Sequence, residues 1–355
     1  MLTRMANQVC IYRETVEGII QVPGPTISIP KKKRRVNTMN VQRNVCCALA
    51  LVFVGFLFSA CMDQVYVDAG AAGPGLGTPE APFAKIAMGL FWASSGATVH
   101  VAAGDYPENL VISRPVKLLG AGAGSTRLLA DVTRKGIEIG ADDVEVRGFS
   151  IVGMGEPDPE NMFLGGVSAE DVNRLTVSEN TVGPYSSVGI GVGRASNVTI
   201  ENNQVLDISG LWDQQNYGII VAIVPMAVVR GNVITNVDGE GLLFAESGGQ
   251  LENNTVYNCP LGLWISGSNW GEAEVSLRGN TVQGSSYGAM IINLSTLSAL
   301  YNNTIVDNPG FGMEIYDEET SILSCGNNTV SGNHPDFGEY LQYYGHLDLL
   351  LACLD

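Results

Sequence analysis

The chain has few basic residues, few cysteines and few histidines, and these shortages exclude several classes of function. Its 355 residues contain 19 Lys and Arg against 36 Asp and Glu, for a formal net charge of −17. No Lys or Arg follows Arg278. Nucleic-acid binding requires a basic face and is therefore excluded. The 3 His and 7 Cys show no spacing typical of a zinc site.

A repeated phrase fills the second half of the chain. Asn-Asn-Thr-Val, or a variant of it, recurs with its second Asn-type position at 180, 203, 232, 254, 280, 303 and 328. A Gly between apolar residues follows in each unit, as in Tyr217-Gly218-Ile219. A period in the twenties with short β-rich runs is typical of a solenoid. Asn and Gly fit the sharp corners between strands, and we expect stacked Asn amides to hydrogen-bond along the coil.

These units resemble the right-handed parallel β-helix of the pectate-lyase-like superfamily. Residues 65–68 match its first strand, 83–94 its capping helix and 98–109 its first coil. The resemblance covers residues 65–345 and implies an all-β, single-stranded right-handed parallel β-helix solenoid with an N-terminal capping helix and eight to ten coils. The superfamily contains lyases, hydrolases, esterases, epimerases and non-catalytic members, so the resemblance fixes no activity.

Both ends of such a solenoid need a cap, because an open coil exposes strand edges and apolar rungs. The helical face that we expect to plug the first coil consists of Phe83, Ile86, Ala87, Leu90 and Phe91. The segment 334–355 is predicted to cap the other end.

The N-terminal region contains a signal-like segment. Val45–Phe58 is apolar and too short to span a membrane comfortably, but it fits a signal-peptide core. Residues 57–61 (Leu-Phe-Ser-Ala-Cys) resemble a bacterial lipobox, which implies lipidation of Cys61 and anchorage at the cell envelope. Met62 after the Cys favours the outer membrane by analogy. A buried helix or a transmembrane anchor are the alternatives for the apolar run.

We therefore interpret 1–38 as a misassigned upstream segment, 39–60 as the lipoprotein signal peptide and 61–80 as the lipidated N-terminus with a short linker. Eight basic and two acidic residues precede residue 61, so 11 basic and 34 acidic residues would remain. Such an acidic chain would repel polyanionic polysaccharides unless metal ions intervened.

Three cysteines lie within the solenoid region or its tail. Cys325 takes the inward place that Leu300 holds one coil earlier, so a plain core role is the simplest reading. A disulfide from Cys325 to Cys353 would tie the tail to the last coil in an oxidising compartment. Cys259 lies too many coils away to pair with Cys325.

Alternation along the strands predicts which side chains face outward. Arg230, between Glu201 and Glu252, continues toward Arg278 in an exposed ladder of opposite charges. On the next face we expect Ile190, Ile219, Leu242, Leu263, Ala289 and Met313 to point inward, and Gly191, Ile220, Leu243, Trp264, Met290 and Glu314 to point outward. The apolar part of this stripe should either be covered by the protein's own segments, which we favour, or dock a partner or sugar rings.

Catalytic candidates are few. Glu314, Asp317 and Asp238 are the best available acids, and Glu314, Asp317 and Glu319 could supply oxygen ligands to Ca²⁺. A solvated turn is the more usual role for such residues. No other cofactor is expected.

The sequence therefore favours an envelope-anchored, non-catalytic surface that binds or scaffolds carbohydrate or another envelope component. The membrane contact would be a lipid on Cys61. The residues that we expect to bind are Trp264, Trp212, Trp270, Ile220, Leu243 and Met290. A polysaccharide lyase, epimerase or glycoside hydrolase with acids on loops is one alternative, and a purely structural envelope protein is another.

Overall fold

The computed structural model describes residues 62–156, 164–210, 216–267, 274–293, 296–316, 320–343 and 345–354. The chain forms an all-β right-handed parallel β-helix of about nine turns, as predicted. Each full coil contributes one strand to each of three sheets, and neighbouring strands within a sheet pair in parallel. Within each coil the chain passes through a strand of sheet 1, then the Asn pair of the repeat, then a strand of sheet 2 and finally a strand of sheet 3.

Sheet 1 has 12 strands: Met62–Val67, Ala93–Val101, Val116–Gly120, Val144–Arg147, Asn173–Ser178, Ser196–Glu201, Ala227–Arg230, Gly249–Glu252, Glu274–Arg278, Thr296–Tyr301, Ser321–Ile322 and Cys325–Gly326. Sheet 2 has 10: Gly104–Tyr106, Thr126–Asp131, Ser150–Met154, Thr181–Val182, Gln204–Ile208, Val233–Val237, Thr255–Tyr257, Thr281–Gln283, Thr304–Val306 and Thr329–Ser331. Sheet 3 has 9: Leu110–Ile112, Ile137–Ile139, Gly165–Glu170, Val188–Gly193, Tyr217–Ala222, Glu240–Ala245, Leu261–Ser266, Gly288–Asn293 and Phe311–Ile315.

One continuous apolar core runs along the axis of the solenoid. Alternate strand residues point into it, and Ile219 and Leu263 are buried there as predicted. Because each coil lies on the next in register, the core is built from stacked columns of Val, Ile and Leu. Burial of these columns is the main stabilising term of the fold.

The two positions of the Asn-Asn pair have different structural roles. The first position adopts left-handed backbone angles at the corner after sheet 1, where Asn253 has φ 54° and Gly279 has φ 65°. The second position is buried and forms a hydrogen-bonded ladder. Asn254 Nδ2, for example, donates to Asn280 Oδ1 at 3.0 Å and to the Val229 carbonyl at 2.8 Å. The predicted amide stack is therefore confirmed.

The ladder is closed at both ends. At its start the backbone N–H of Phe149 donates to Asn180 Oδ1 at 3.0 Å. At its end Asn328 Nδ2 donates to the Cys353 carbonyl at 2.9 Å, in the place where a further Asn would accept. The C-terminal segment thus continues the hydrogen-bond pattern of the coil without adding another coil.

Helix α1 (Ile86–Trp92) lies across the first coil, close to the predicted 83–94. Ile86 and Leu90 are buried, and Gly89 is required because a Cβ there would lie 2.7 Å from Val67 Cγ2. The carboxylate of Glu108 accepts from the backbone N–H of Ile86 at 2.8 Å and thereby caps the helix N-terminus.

Part of the predicted plug face is wrong. Ala87 and Phe91 point to solvent, and Phe91 is 55% exposed. Phe83 is buried, but it precedes the helix and bridges to Val67 in extended conformation. Ala87 and Phe91 each follow a buried helix residue and lie about 100° further round the helix axis, so the buried face is narrower than predicted and consists of Ile86, Gly89 and Leu90.

The C-terminal segment contains helices α2 (Tyr340–Tyr343) and α3 (Leu347–Leu351). Leu350 is buried in the end of the core, and a disulfide joins Cys325 to Cys353 with 5.1 Å between the Cα atoms. Cys259 is a buried free thiol. Within the described ranges, no helix combines the length and apolar content needed to cross a membrane.

Candidate functional site

The outer face of sheet 3 changes character along the solenoid. Its central outward column runs through Glu138, Ser168, Gly191, Ile220, Leu243, Trp264, Ile291 and Glu314. The first members are polar or small, the next four are apolar, and the last is an acid. The predicted apolar stripe of Ile220, Leu243 and Trp264 is present.

Met290 does not belong to this stripe. It pairs with Leu263 and is fully buried in the core, whereas Ile291 pairs with Trp264 and takes the outward place. The prediction aligned Gly288 with the repeat Gly of other coils, but Gly288 pairs with Leu261 and the following Ala289 occupies the Gly column. This shift of one residue reverses the facing of the strand.

The apolar side chains of the outer face form a cluster of their own, separate from the core. We call it the outer cluster: Val188, Tyr217, Ile220, Leu243, Ala245 and Trp264. Leu243 is only 8% exposed, and Ile220 and Trp264 are half-buried. Part of the stripe is therefore buried and part stays accessible, and coverage by the protein's own segments stays a prediction. At its far end the Glu314 carboxyl lies against Gly338, where a Cβ would have no room.

Glu240 is a buried acid at the edge of the outer cluster. It pairs in register with Tyr217 on one side and Leu261 on the other, and it is 5% exposed. Burial raises its pKa to about 7, because a desolvated carboxylate is unfavourable. Burial also raises the pKa of the Tyr217 hydroxyl. Glu240 follows Asp238 and Gly239 in a stretch that is typical of a polar loop, so the sequence gives no signal of its burial.

Three polar atoms around the outer cluster are buried without a hydrogen-bond partner. They are Glu240 Oε2, Trp264 Nε1 and Asn216 Oδ1. Asn216 directly precedes Tyr217, and its Nδ2 donates to the Asp238 carbonyl at 2.8 Å. Buried polar groups are nearly always paired, so these three atoms are exceptions to the hydrogen bonding seen along the rest of the described solenoid.

A hollow of about 300 Å³ opens on the same face where Gly191 leaves the stripe without a side chain. Its apolar wall includes Val188 and Ile220, and Lys135 and Glu170 stand at its polar end. Lys135 Nζ lies 3.0 Å from Glu138 Oε1, and Arg194 lies 3.3 Å from Glu170, so these charges are mutually compensated. Gly191 in a strand was the only sequence signal for this hollow.

The candidate acids are not brought together. Asp238 is exposed at a corner before the strand Glu240–Ala245, and Glu314 is buried three coils further on. Three strand spacings are about 14 Å. Asp317 and Glu319 lie outside the described residues, as do Trp212, Trp270 and Cys61. Across the part of the chain that is described, His, Cys, Asp and Glu form no group that could hold a metal ion.

Comparison with known proteins agrees with this architecture. The model of the right-handed β-helix region family matches residues 188–346. No curated protein sequence matches the chain.

Several solved structures are similar in fold. Pectate lyase Pel9A is 11% identical, with 76% of this chain and 78% of that one covered and a TM-score of 0.48. A mutant of the periplasmic alginate epimerase AlgG is 15% identical over 68% and 69% of the two chains, with a TM-score of 0.40. Pectin methylesterase PemA from Erwinia chrysanthemi is 12% identical over 81% and 98%, with a TM-score of 0.44. All three TM-scores lie below 0.5, so these likenesses carry no argument about this chain.

Proposed function

We propose that this protein is an envelope-anchored β-helix lipoprotein whose sheet 3 outer face binds carbohydrate without changing it chemically. The observation that carries the proposal is the hollow over Gly191, whose apolar wall is shared with the outer cluster through Val188 and Ile220 and whose polar end holds Lys135 and Glu170. Ligand sites commonly combine an apolar lining with a few fixed polar groups. Sugar rings present apolar faces and hydroxyl edges, which is the same combination.

Binding is favoured over catalysis by the placement of the acids. Glycoside hydrolysis uses two carboxyl groups roughly 5–9.5 Å apart. Asp238 and Glu314 stand at least about 14 Å apart by strand spacing. A glycoside hydrolase that used these two acids would need them closer together. The alternatives of a lyase and an epimerase are distinguished from binding by the products that the test below detects.

The direct test uses the full-length chain in detergent against a panel of polysaccharides, with and without Ca²⁺. Retention in affinity electrophoresis without release of products is expected. Release of shortened, unsaturated or epimerised products would show an enzyme instead. Absence of both retention and products would leave the purely structural role.

The hollow itself can be tested by filling it. A Cβ at Gly191 would lie 3.3 Å from Val188 and 3.5 Å from Ile220, so an outward side chain fits once the Val188 side chain shifts by a few tenths of an ångström. Gly191→Leu should fold normally and lose retention. Thr199→Leu adds a similar apolar side chain to the outward face of sheet 1 in the next coil and is the matched control. Equal retention by both variants would remove the hollow from the binding surface.

The anchor is a separate part of the proposal. If Cys61 carries the lipid, the wild type should enter the detergent-rich phase on partitioning, and Cys61→Ser should stay in the aqueous phase. Equal partitioning of the two would reject lipidation at Cys61 without affecting the carbohydrate test.

A further inference from the structure

The helix that caps the first coil is apolar on its outer face as well as on its inner face. Helix α1 reads Ile-Ala-Met-Gly-Leu-Phe-Trp and contains no charged side chain. Its inner face covers the coil, but Met88 is 42% exposed and Phe91 is 55% exposed. A helix that is apolar all round is normally buried, so the composition of α1 requires a cover for its outer face too.

The chain enters the solenoid beside this helix. Met62, the first described residue, pairs in register with Ala93, which directly follows α1. Ser94 Oγ also donates a hydrogen bond to the Met62 carbonyl at 3.1 Å. Consecutive Cα atoms are about 3.8 Å apart and paired strands about 4.8 Å apart, so a lipid on Cys61 would be attached within about 9 Å of the Ala93 Cα atom.

The charges of the protein are distributed unevenly between its two ends. Residues 62–135 contain 6 basic and 6 acidic residues and carry no net charge, whereas residues 136–355 contain 5 basic and 28 acidic residues and carry −23. A membrane that contains anionic lipids repels a negatively charged surface. The N-terminal end is therefore the part of the solenoid that can approach such a membrane closely.

Two cations at this end have no partner. Eleven Lys and Arg lie in the described part of the chain, and nine of them form an ion pair, donate a hydrogen bond or stack on a ring. The other two are Lys85 and Arg134, which are exposed and line one cleft of about 770 Å³ beside α1.

The two acids that line the same cleft are already engaged. Glu108 accepts hydrogen bonds from the backbone of α1, and Asp131 accepts them from Thr133. Lys85 and Arg134 are therefore the charges that the cleft presents to a ligand. Phosphate is an anionic group that Lys and Arg side chains bind well.

We propose that the N-terminal end of the solenoid lies on a phospholipid bilayer, with Met88 and Phe91 in the interfacial layer and Lys85 and Arg134 against lipid phosphates. This inference rests on the lipid anchor at Cys61 proposed above and adds an orientation to it. The solenoid axis then points away from the membrane, which leaves the outer face of sheet 3 open to a ligand.

The residue types of α1 suit this layer. Apolar helix faces bury into the boundary between lipid headgroups and acyl chains. Trp92 packs edge-on against Phe91, with 5.3 Å between the ring centroids, and Trp is enriched at this boundary.

The test places a fluorescent label at each end of the protein. The full-length chain with Phe91→Cys or Leu351→Cys is labelled with bimane and reconstituted into vesicles of phosphatidylethanolamine and phosphatidylglycerol, with and without doxyl-labelled lipid. Leu351 is 44% exposed on helix α3 at the opposite end and is the matched control. The label at position 91 should lose most of its emission to the doxyl lipid, and the label at position 351 should keep its emission. The unsubstituted chain, treated in parallel, gives the background from native cysteines.

Lys85→Gln combined with Arg134→Gln tests the phosphate contacts. Removal of a basic residue near an anionic surface should lower the ratio of docked to undocked solenoid about fivefold for each cation. The quenching at position 91 should fall accordingly. Lys117→Gln is the control, because Lys117 is exposed on sheet 1 and paired with Glu145, and it should leave the quenching unchanged.

The outcomes separate this inference from the proposed function. Full emission at position 91 in protein that floats with the vesicles, or equal quenching at both ends, would overturn the membrane-facing end and leave the anchor intact. Unchanged quenching in the Lys85→Gln, Arg134→Gln variant would overturn the phosphate contacts. A wild-type chain that does not float with the vesicles would overturn both the anchor and this inference, without affecting the carbohydrate test.

Discussion

The Asn ladder and the outer cluster are two regions where polar side chains are buried among apolar ones, yet they treat those side chains differently. In the ladder, Asn232 and Asn254 each donate to the next amide and accept from the previous one. At the outer cluster, Trp264 and the neighbouring Glu240 each keep an atom without a partner. The difference separates buried polar groups that the fold itself satisfies from buried polar groups that it leaves unsatisfied.

Repetition explains why the ladder is satisfied. Each coil presents the same amide at the same height, so every carbonyl oxygen meets a donor from its neighbour. The outer cluster has no such repeat, because Val188, Tyr217, Glu240 and Leu261 follow one another in a single column. The Glu240 carboxyl therefore has no equivalent polar side chain in the neighbouring coils with which to form a repeated hydrogen bond.

Breaking the ladder should have the largest effect. Asn254→Ala removes the acceptor for two donors of Asn232, at 3.0 and 3.1 Å, and the donor to the Val229 carbonyl. Because these groups are buried, we expect a loss of about 3–6 kcal/mol in the free energy of unfolding. Urea denaturation of the purified chain measures it.

Gln250→Ala is the control for this variant, since Gln250 lies on the exposed face of sheet 1 in the same coil. Its unfolding free energy should stay within about 0.5 kcal/mol of wild type. A loss of the same size in both variants would mean that the ladder contributes nothing beyond an ordinary surface residue.

Opening the end of the ladder comes next in size. The Cys325–Cys353 disulfide closes a loop with a sequence separation of 28 residues and holds the carbonyl that ends the ladder. The chain-entropy model gives about 3–4 kcal/mol for such a loop. Reductant should lower the urea midpoint of wild type by a corresponding amount. The Cys325→Ser, Cys353→Ser double variant should show the lowered midpoint in both conditions, and a midpoint that reductant still shifts there would assign the effect elsewhere.

The solenoid could be predicted from the sequence because its signals are local and repeated. The Asn-Asn pair encodes a left-handed corner and a ladder position, and seven copies fix the period. The disulfide needed only Cys325 to stand in the inward column with the tail folded back. The facing of Ile219 and Leu263 followed from alternation alone.

The candidate site could not be predicted from the sequence, because it depends on features that differ from one coil to the next. In the coil of Gly288 the repeat is shifted by one residue, so Met290, which was predicted on the outer face, lies in the core. Glu240 follows Asp238 and Gly239 in a segment that reads as a polar turn, yet it begins a strand and is buried by its neighbours. Burial on the outside of a coil arises from packing that strand alternation does not encode.

The outer cluster predicts a pH dependence that the ladder does not have. The pKa of Glu240 is about 7 in the folded chain against an ordinary value of 4.5. The folded state therefore holds this proton more tightly, and the stabilisation is complete below pH 4.5 and lost as the pH rises through 7. Relative to Glu240→Gln, wild type should lose about 2–4 kcal/mol between pH 4.5 and 8.

Urea denaturation of both proteins across that range tests this prediction. Glu252→Gln, on the outward face of sheet 1 in the next coil, is the control for removing one carboxyl group. Parallel stability curves for wild type and Glu240→Gln would show that Glu240 is solvated rather than buried.

The smallest change in the free energy of unfolding is expected for the exposed ladder of charges on sheet 1. Arg230 Nη2 lies 2.6 Å from Glu201 Oε2, but the Arg230 side chain is 52% exposed. Solvent screens such a pair, so Arg230→Gln should change the free energy of unfolding by less than about 1 kcal/mol. The difference from wild type should shrink further in 1 M NaCl, where the screening length is only about 3 Å. A loss that equals that of Asn254→Ala and persists in salt would show that sheet 1 depends on its outward charges as strongly as the coil depends on its buried amides.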